Sequence, residues 1–130
     1  MEKLLIYSEI MLYLKGIDRL IKEGLSHIST TCVDDITSLK RILDQNSFEL
    51  IVLHLDFSNQ KENSYPQLAD YCESAPNSML LILTDDTIAA GKFFPIATDA
   101  ICYLDVKSSD KKIITTITQM LGWKKNEQPS

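Results

Sequence analysis

The sequence reads Glu49-Leu50-Ile51-Val52-Leu53-His54-Leu55 near its middle, and this nearly unbroken apolar stretch decides the fold. A strand that is apolar on both faces must be covered on both faces, which is typical of a central strand in a parallel sheet. A strand with one face in water would instead alternate apolar and polar residues. We therefore expect residues 49–55 to form a buried central strand with helices packed on both sides of it.

Four other segments have the composition of strands, and they lie on both sides of residues 49–55 in the chain. They are Lys3–Tyr7, Ile28–Val33, Met79–Thr84 and Ala100–Leu104. Ile28–Val33 is rich in β-branched residues but half polar, as an edge strand should be. The sequence therefore predicts five strands, with Ile28–Val33 at an edge of the sheet.

Each predicted strand is followed by a segment with helical features. Apolar residues recur with a helical period in three intervals: Leu14, Ile17, Ile21 and Leu25; Ile36, Leu39, Ile42 and Leu43; Ile113, Ile114, Ile117, Met120 and Leu121. Tyr65–Ala75 predicts a further helix, with Pro66 in its first turn. Residues 85–97 predict only a short or broken helix, because Gly91 and Pro95 interrupt them.

The predicted helix ends carry their own signals. Asp34-Asp35 and Asp85-Asp86 precede helical segments, where a short carboxylate side chain accepts a hydrogen bond from a free backbone N–H group. We expect both pairs to be helix caps rather than catalytic carboxylates. Gly122 follows the last apolar residue and is expected to end the final helix. Residues 124–130 are polar, so we expect one domain over residues 1–123, followed by a tail or the start of a linker.

Strands that alternate with helices predict an α/β fold, a three-layer sandwich with one five-stranded parallel sheet and helices on both faces. The crossover connections should be right-handed. A chain of 130 residues suits the flavodoxin-like strand order 2-1-3-4-5 better than a full dinucleotide-binding fold. The working site of such a sheet lies at the carboxyl ends of its strands, so the residues just after each strand are the candidates for function.

Composition restricts the cellular setting and the partners. The formal net charge is -5, and an acidic domain repels phosphate backbones, so direct binding of DNA or RNA is not expected. No apolar run approaches the roughly 20 residues of a membrane span, and residues 1–7 lack the features of a signal peptide. Cys32, Cys72 and Cys102 show no paired spacing, which suits reduced thiols in the cytoplasm.

Polar residues stand at the predicted carboxyl ends of the strands. They are Ser8-Glu9, His54 with Asp56, Thr84, and Asp105-Val106-Lys107. Together with Gly16-Ile17 and the stretch Asp99–Val106, they resemble the response-regulator receiver domains, the CheY-like family, and most closely those of LuxR-type regulators. The resemblance spans about residues 3–122. It implies a signalling domain that acts on other proteins and is not an enzyme.

The resemblance implies a role for each of these positions. Ser8 and Glu9 stand at the family's acidic pair, His54 at the phosphoacceptor aspartate, Thr84 at the switch threonine or serine, Tyr103 at the switch aromatic residue and Val106 at the lysine. Glu9 and Asp56 are the acidic residues left in the pocket. Receiver phosphorylation needs oxygen ligands for Mg²⁺ and a cation beside the acceptor. The departures therefore imply a pseudo-receiver that is not phosphorylated and needs no cofactor.

Other interpretations of the same residues stay open at this point. Asp56, or His54 as a phosphohistidine, could be a displaced acceptor, which would make the chain a functional receiver. His54 could sense pH beside Glu9, or Glu9, His54 and Asp56 could hold a transition metal. Lys107 could reach back to the lysine position. The plainest alternative is a hydrogen-bonded His54, a solvated Asp56 and a surface Lys107.

The expected partners are proteins, and no membrane is expected. A small-ligand or redox flavodoxin-like module stays open as a third interpretation. Receivers commonly dimerise through the face formed here by residues 85–121, so the resemblance implies a homodimer or another protein partner, with Phe93-Phe94 and Trp123 as candidate interface anchors. Burial of these aromatic residues in the domain's own core is the alternative. LuxR-type regulators continue into a helix-turn-helix domain, so DNA would be bound only by such a downstream domain. Phosphate-loop, nucleophile-elbow and zinc-protease motifs are missing from the sequence, and Ser8–Leu12 lacks the phosphate loop of a flavin site.

Overall fold

Five parallel strands form one sheet in the computed structural model of the chain, which describes residues 2–58, 65–73, 75, 78–94 and 100–127. The strands are β1 (Glu2–Tyr7), β2 (Ile28–Val33), β3 (Leu50–Leu55), β4 (Met79–Thr84) and β5 (Ile101–Asp105). Their order is β2-β1-β3-β4-β5, and every neighbouring pair is parallel. The predicted flavodoxin-like sheet is confirmed, with β2 at an edge and β3 at the centre.

A helix follows each strand within the described residues. The helices are α1 (Met11–Gly24), α2 (Ile36–Gln45), α3 (Tyr65–Glu73), α4 (Thr87–Phe93) and α5 (Asp110–Glu127). The brevity of α4 agrees with the short or broken helix predicted for this part of the chain. None of the helices in the described ranges combines the length and the apolar character that crossing a membrane requires.

The prediction that Gly122 ends the last helix is wrong, because α5 continues beyond it to Glu127. A glycine ends a helix where the backbone turns to the left-handed conformation, and Gly122 has no φ in that range. Glycine inside a helix costs only about 0.5–1 kcal/mol relative to alanine. Met120 and Leu121 are buried in the core just before it, so tertiary packing holds this turn in helical form.

The sheet separates two hydrophobic cores. Successive side chains of a strand point to opposite faces, so β3 directs Leu50 and Val52 into one core and Ile51, Leu53 and Leu55 into the other. The first core is closed by α1 and α5, and the second by α2, α3 and α4. His54 continues the face of Leu50 and Val52. The fold therefore brings its imidazole out at the carboxyl end of the sheet beside α1.

Two helices begin at predicted aspartate caps. Asp35 Oδ1 accepts a hydrogen bond from the backbone N–H of Ser38 at 2.8 Å, and Asp86 Oδ1 accepts one from the backbone N–H of Ala89 at 3.0 Å. Such caps satisfy N–H groups that have no partner within the helix. The expectation that Asp85 shares this role is wrong, because its carboxylate binds the segment after β3 instead.

Gly16 and Gly24 of α1 offer a matched test of this packing. A Cβ atom on Gly16 would meet nothing within 4 Å, whereas a Cβ atom on Gly24 would lie 3.0 Å from Cδ1 of Ile114. Alanine favours the helix over glycine, so we expect Gly16→Ala to raise the free energy of unfolding by about 0.5–1 kcal/mol. Gly24→Ala should gain less or lose stability, since Ile114 must move. Urea unfolding measures the difference, and equal gains in both variants would contradict the packing.

Candidate functional site

The end of β3 is joined to the end of β1 by a side-chain hydrogen bond. Ser8 Oγ lies 2.8 Å from Nδ1 of His54, and Ser8 is completely buried. The same oxygen accepts a hydrogen bond from the backbone N–H of Ile10 at 3.0 Å and lies 3.2 Å from the Ile10 carbonyl oxygen. A hydroxyl has one proton. Either it is donated to Nδ1, or it is donated to the Ile10 carbonyl oxygen and Oγ accepts from Nδ1–H.

A tyrosine of α1 covers the other side of the imidazole. The ring centroids of Tyr13 and His54 are 3.9 Å apart, and the ring planes differ by 23°. This is a stacked pair, an arrangement that contributes about 0.5–1.5 kcal/mol beyond simple burial. His54 is therefore held between the hydroxyl of Ser8 and the ring of Tyr13, and the acceptor position implied by the resemblance is filled by a packed side chain.

His54 is neutral in the folded protein near pH 7. Burial of the imidazole lowers its pKa, and the carboxylates of Asp56 and Asp85 only partly offset that effect. The expected pairing with Glu9 would have favoured the charged form, but the partner of Nδ1 is the uncharged hydroxyl of Ser8. The position therefore carries neither the negative charge of an aspartate nor a positive charge.

Asp85, directly after β4, holds the segment that follows β3. Its carboxylate accepts hydrogen bonds from the backbone N–H groups of Phe57 at 2.9 Å and Ser58 at 3.0 Å. Partial burial acts against its ionised form, but these hydrogen bonds outweigh burial, and the pKa of Asp85 is lowered. Asp56 Oδ1 accepts from the Ser58 hydroxyl at 2.6 Å and from its N–H group at 3.1 Å. Two carboxylates thus share the amides of one short segment.

Tyr65, the first residue of α3, fixes the backbone of Asp56. Its hydroxyl accepts a hydrogen bond from the N–H group of Asp56 at 2.8 Å and donates one to the carbonyl oxygen of the same residue at 3.0 Å. Tyr65 is itself buried and meets the ring of Phe57 edge to face, with centroids 5.2 Å apart. The main chain at Asp56 is therefore tied to the second core, while its carboxylate faces the end of the sheet.

Thr84 and Tyr103, the switch-equivalent residues, both make local hydrogen bonds. Thr84 is completely buried, and its Oγ1 accepts a hydrogen bond from the backbone N–H of Asp86 at 3.2 Å. The register pairs Thr84 with Leu55 and Leu83 with His54, so Thr84 and His54 leave the sheet on opposite faces. The hydroxyl of Tyr103 donates to the carbonyl oxygen of Phe94 at 3.0 Å.

An open cavity of about 870 Å³ lies over the carboxyl ends of the strands and continues between α1 and α5. Its end at the sheet is lined by His54, Asp56, Asp85 and Val106. The backbone N–H of Val106 donates to the carbonyl oxygen of Thr84 at 3.0 Å, which fixes an apolar side chain where the resemblance implies a lysine. Lys107, the next residue, is exposed.

Glu9 is exposed, and the structure does not join it to His54 and Asp56 as a metal site. The negative charge of Glu9 acts on the hydroxyls of Tyr7 and Tyr65, whose pKa values are raised mainly by burial. Within the described ranges, no group of three or more His, Cys, Asp or Glu side chains is arranged to hold a metal ion. Of the two acidic pocket residues expected from the sequence, Asp56 is the one that lines the cavity.

The aromatic residues considered as interface anchors fall into two groups. Phe94 is 2% exposed, and Phe93 is half-buried with its ring centroid 5.9 Å from that of Tyr65 and 6.0 Å from that of Phe57. Phe93-Phe94 therefore belong to the second core of the domain, as the alternative expectation held. The side chain of Trp123 lies outside the described part of the chain.

Sequence reasoning did not single out Tyr13, and it assigned Asp85 to the wrong task. Tyr13 lies next to Leu14 of the buried stripe of α1, and it packs half-buried against the first core. An aromatic residue beside an apolar stripe, near the predicted strand ends, is a signal that could have identified it. Asp85 has the same local sequence signal as the true cap Asp86. Only the approach of Phe57 and Ser58, 28 and 27 residues away, distinguishes the two.

Solved receiver domains share this fold. The chain is similar to a CheY-like response regulator receiver domain from Methanospirillum hungatei JF-1, with a TM-score of 0.79, 12% identity and coverage of 98% of this chain and 99% of that one. It is also similar to the signal receiver domain of an HD domain-containing protein from Pseudomonas fluorescens Pf-5, with a TM-score of 0.72, 17% identity and coverage of 97% and 98%. A LuxR family DNA-binding response regulator from Silicibacter pomeroyi has a TM-score of 0.69 at 15% identity, with coverage of 94% and 92%.

These similarities establish the CheY-like receiver fold. No family model matches the sequence, and no curated protein matches it. The three solved structures are each less than a fifth identical to the chain, so what they share with it is the arrangement of strands and helices. The chemistry of the site must be argued from the residues of this chain.

The burial of neutral His54 makes the stability of the domain depend on pH. A histidine with a lowered pKa in the folded state contributes stability that is fully present above its unfolded pKa, about 6.5, and is lost as the pH falls through the folded pKa. We therefore expect the free energy of unfolding to fall as the pH drops below about 6.5, and to fall less steeply in His54→Gln. Urea unfolding over this range measures both slopes.

The chain offers a matched control, because it contains two histidines. His27 is exposed at the start of β2, with Nε2 4.0 Å from a carboxylate oxygen of Glu2. His27→Gln removes the other histidine and serves as the comparison for His54→Gln. If His27→Gln flattens the dependence of stability on pH while His54→Gln leaves that dependence unchanged, the burial of neutral His54 is not the cause of the dependence.

Proposed function

We propose that this chain is a pseudo-receiver, a domain that signals through contacts with other proteins and without phosphorylation of an aspartate. One observation carries the proposal. The side chain that the resemblance puts at the acceptor position is the imidazole of His54, which is hydrogen-bonded to Ser8 at 2.8 Å and stacked on Tyr13. It has no carboxylate oxygen with which to form an acyl phosphate.

The surroundings of His54 support the same conclusion. Phosphoryl transfer relies on positioning and on cations that neutralise the charge developing on the transferred group. Mg²⁺ binds hard oxygen ligands in octahedral geometry, and here a buried serine stands in place of one acidic residue. The apolar side chain of Val106 lines the cavity beside His54 and supplies no positive charge. The pocket therefore has little means of stabilising either the metal or the transferred group.

Two carboxylates in the cavity support a second candidate function. Asp56 and Asp85 both line it together with His54, so a functional receiver with a displaced acceptor at Asp56, or at His54 itself, is the alternative. Asp56 Oδ1 already accepts two hydrogen bonds from Ser58, and the apolar side chain of Val106 in the same cavity supplies no cation for a transferred phosphoryl group. We therefore favour the pseudo-receiver.

The proposed partners are proteins, a second copy of the chain among them. One similar solved structure belongs to a LuxR family DNA-binding response regulator, and another to a response regulator receiver modulated diguanylate cyclase from Pelobacter carbinolicus. We extend to this chain the general role of such a domain, the control of an output by contact. Binding of DNA would then be the property of an attached domain, and the cytoplasm is the compartment that we propose for it.

Incubation with a small phosphodonor and Mg²⁺, followed by intact mass measurement, tests the proposal. We expect wild-type protein to gain no phosphoryl group. The triple variant Ser8→Asp, His54→Asp, Val106→Lys restores the ligand, the acceptor and the cation, so it should gain one. This variant also shows that the donor and the assay work on this fold.

The same assay identifies the alternative. A stoichiometric gain of one phosphoryl group by the wild-type chain would overturn the pseudo-receiver. Loss of that gain in Asp56→Asn but not in His54→Gln would assign it to Asp56, and the reverse pattern would assign it to the imidazole. Thermal unfolding of each variant without donor checks that the domain remains folded.

A further inference from the structure

A groove runs from the end of the sheet along the surface between α1 and α5. Leu12, Gly16, Leu20 and Glu23 line it at successive turns of α1, and Asp110 and Ile113 line it from α5. Residues 12–23 of a helix extend over about 17 Å. The groove is part of the cavity of about 870 Å³ that also reaches His54. This volume falls within the range of about 300–1,000 Å³ for pockets that bind small molecules.

Gly16 keeps the middle of the groove open. It faces the cavity, and a Cβ atom built on it would meet nothing within 4 Å. Any larger residue would project into this space, although alanine would favour the helix by about 0.5–1 kcal/mol. The structure therefore gives Gly16 no packing role in the domain itself, and its effect is to leave room on the surface of α1.

The walls of the groove are apolar along most of its length. Leu12 is 83% exposed, an unusual exposure for a large apolar side chain, and it stands at the groove one turn before Gly16. Ile17, Leu20 and Ile113 continue the apolar lining further along. Such a surface favours a hydrocarbon or aromatic group, since burial of apolar area contributes roughly 25 cal/mol per Å².

The end of the groove at the sheet is acidic. Asp56, Asp85 and Asp110 line the cavity there, and His54 beside them is neutral near pH 7 because burial lowers its pKa. Arg19 is the one basic side chain among the described lining residues, and its Nε is paired with Glu23 Oε1 at 2.9 Å. The electrostatic complement of this end is therefore a positive charge.

We propose that the groove binds a small organic cation with an apolar tail. Its ammonium or guanidinium group would lie at the end lined by Asp56, Asp85 and Asp110, and its tail would lie along α1 and α5 past Gly16. The occupant is a small molecule, because the cavity volume of about 870 Å³ lies within the range of small-molecule pockets. The idea that such a ligand replaces phosphorylation as a signal rests on the proposed function. The binding of the ligand to the groove does not depend on that function.

Octylammonium and octanoate at neutral pH are the probes, because they share a tail and differ in the sign of the charge. Titration into the full chain, followed by the backbone amide signals in nuclear magnetic resonance, gives the site and the Kd. We expect octylammonium to shift the signals of α1, of the start of α5 and of residues 54–58. Octanoate should bind about ten-fold more weakly or not at all.

Matched variants test the geometry. Gly16→Leu fills the groove and should weaken the binding of octylammonium about ten-fold. Gly91→Leu is the control, because it adds the same side chain to α4, where a Cβ also meets nothing within 4 Å. This control should leave the Kd unchanged. Asp110→Asn should weaken binding up to about five-fold, the loss of one exposed ion pair. Asp44→Asn, at the end of α2, should leave binding unchanged. Leu12→Lys changes only an exposed residue, so it tests the groove even if Gly16→Leu folds poorly.

Four outcomes would overturn the proposal. They are equal affinities for octylammonium and octanoate, unchanged affinity in both Gly16→Leu and Leu12→Lys, shifts confined to the α2 and α3 side of the sheet, and absence of any binding up to the solubility of the probe. The phosphodonor assay is independent of all these measurements. If the chain binds the cation and also accepts a phosphoryl group, the binding site is supported and the pseudo-receiver is contradicted.

Discussion

Burial of β3 on both of its faces is the constraint on which the rest of the structure depends. A strand with no face in water must lie inside the sheet, and helices must cover it from both sides. The alternation of its side chains then divides the interior into two cores, one under α1 and α5 and the other under α2, α3 and α4. Because His54 continues the first of these faces, the candidate site lies at the end of the first core, beside α1.

The pair of Ser8 and His54 sets the electrostatic character of the candidate site. A carboxylate in so buried a position would need a cation, several donors or a proton to be stable. A neutral imidazole that shares a proton with a buried serine hydroxyl needs none of these. Stacking on Tyr13 then fills the remaining space with apolar contact. The side chains of Ser8, His54 and Tyr13 therefore satisfy one another without an ion.

The fold could be predicted from the sequence because its main signals are local. Apolar runs gave the strands, helical spacing gave the helices, and Asp35 and Asp86 were recognisable as caps. The end of α5 was not predictable in this way, because core packing overrides the glycine signal at Gly122. The site was predictable in position but not in its bonds. Ser8 and His54 are 46 residues apart in the chain, and no local pattern indicates that their side chains meet.

The division of the interior into two cores has a consequence for how the domain can respond to events at its surface. The groove and His54 belong to the side of α1 and α5, whereas Tyr103 is anchored on the other side by its hydroxyl bond to Phe94. The two sides nevertheless meet at the end of β3, where Asp56 lines the cavity and its main chain is held by the hydroxyl of Tyr65 from the second core. Asp85 binds the same segment through the N–H groups of Phe57 and Ser58. A rearrangement on one side of the sheet would therefore reach the other side through this short segment.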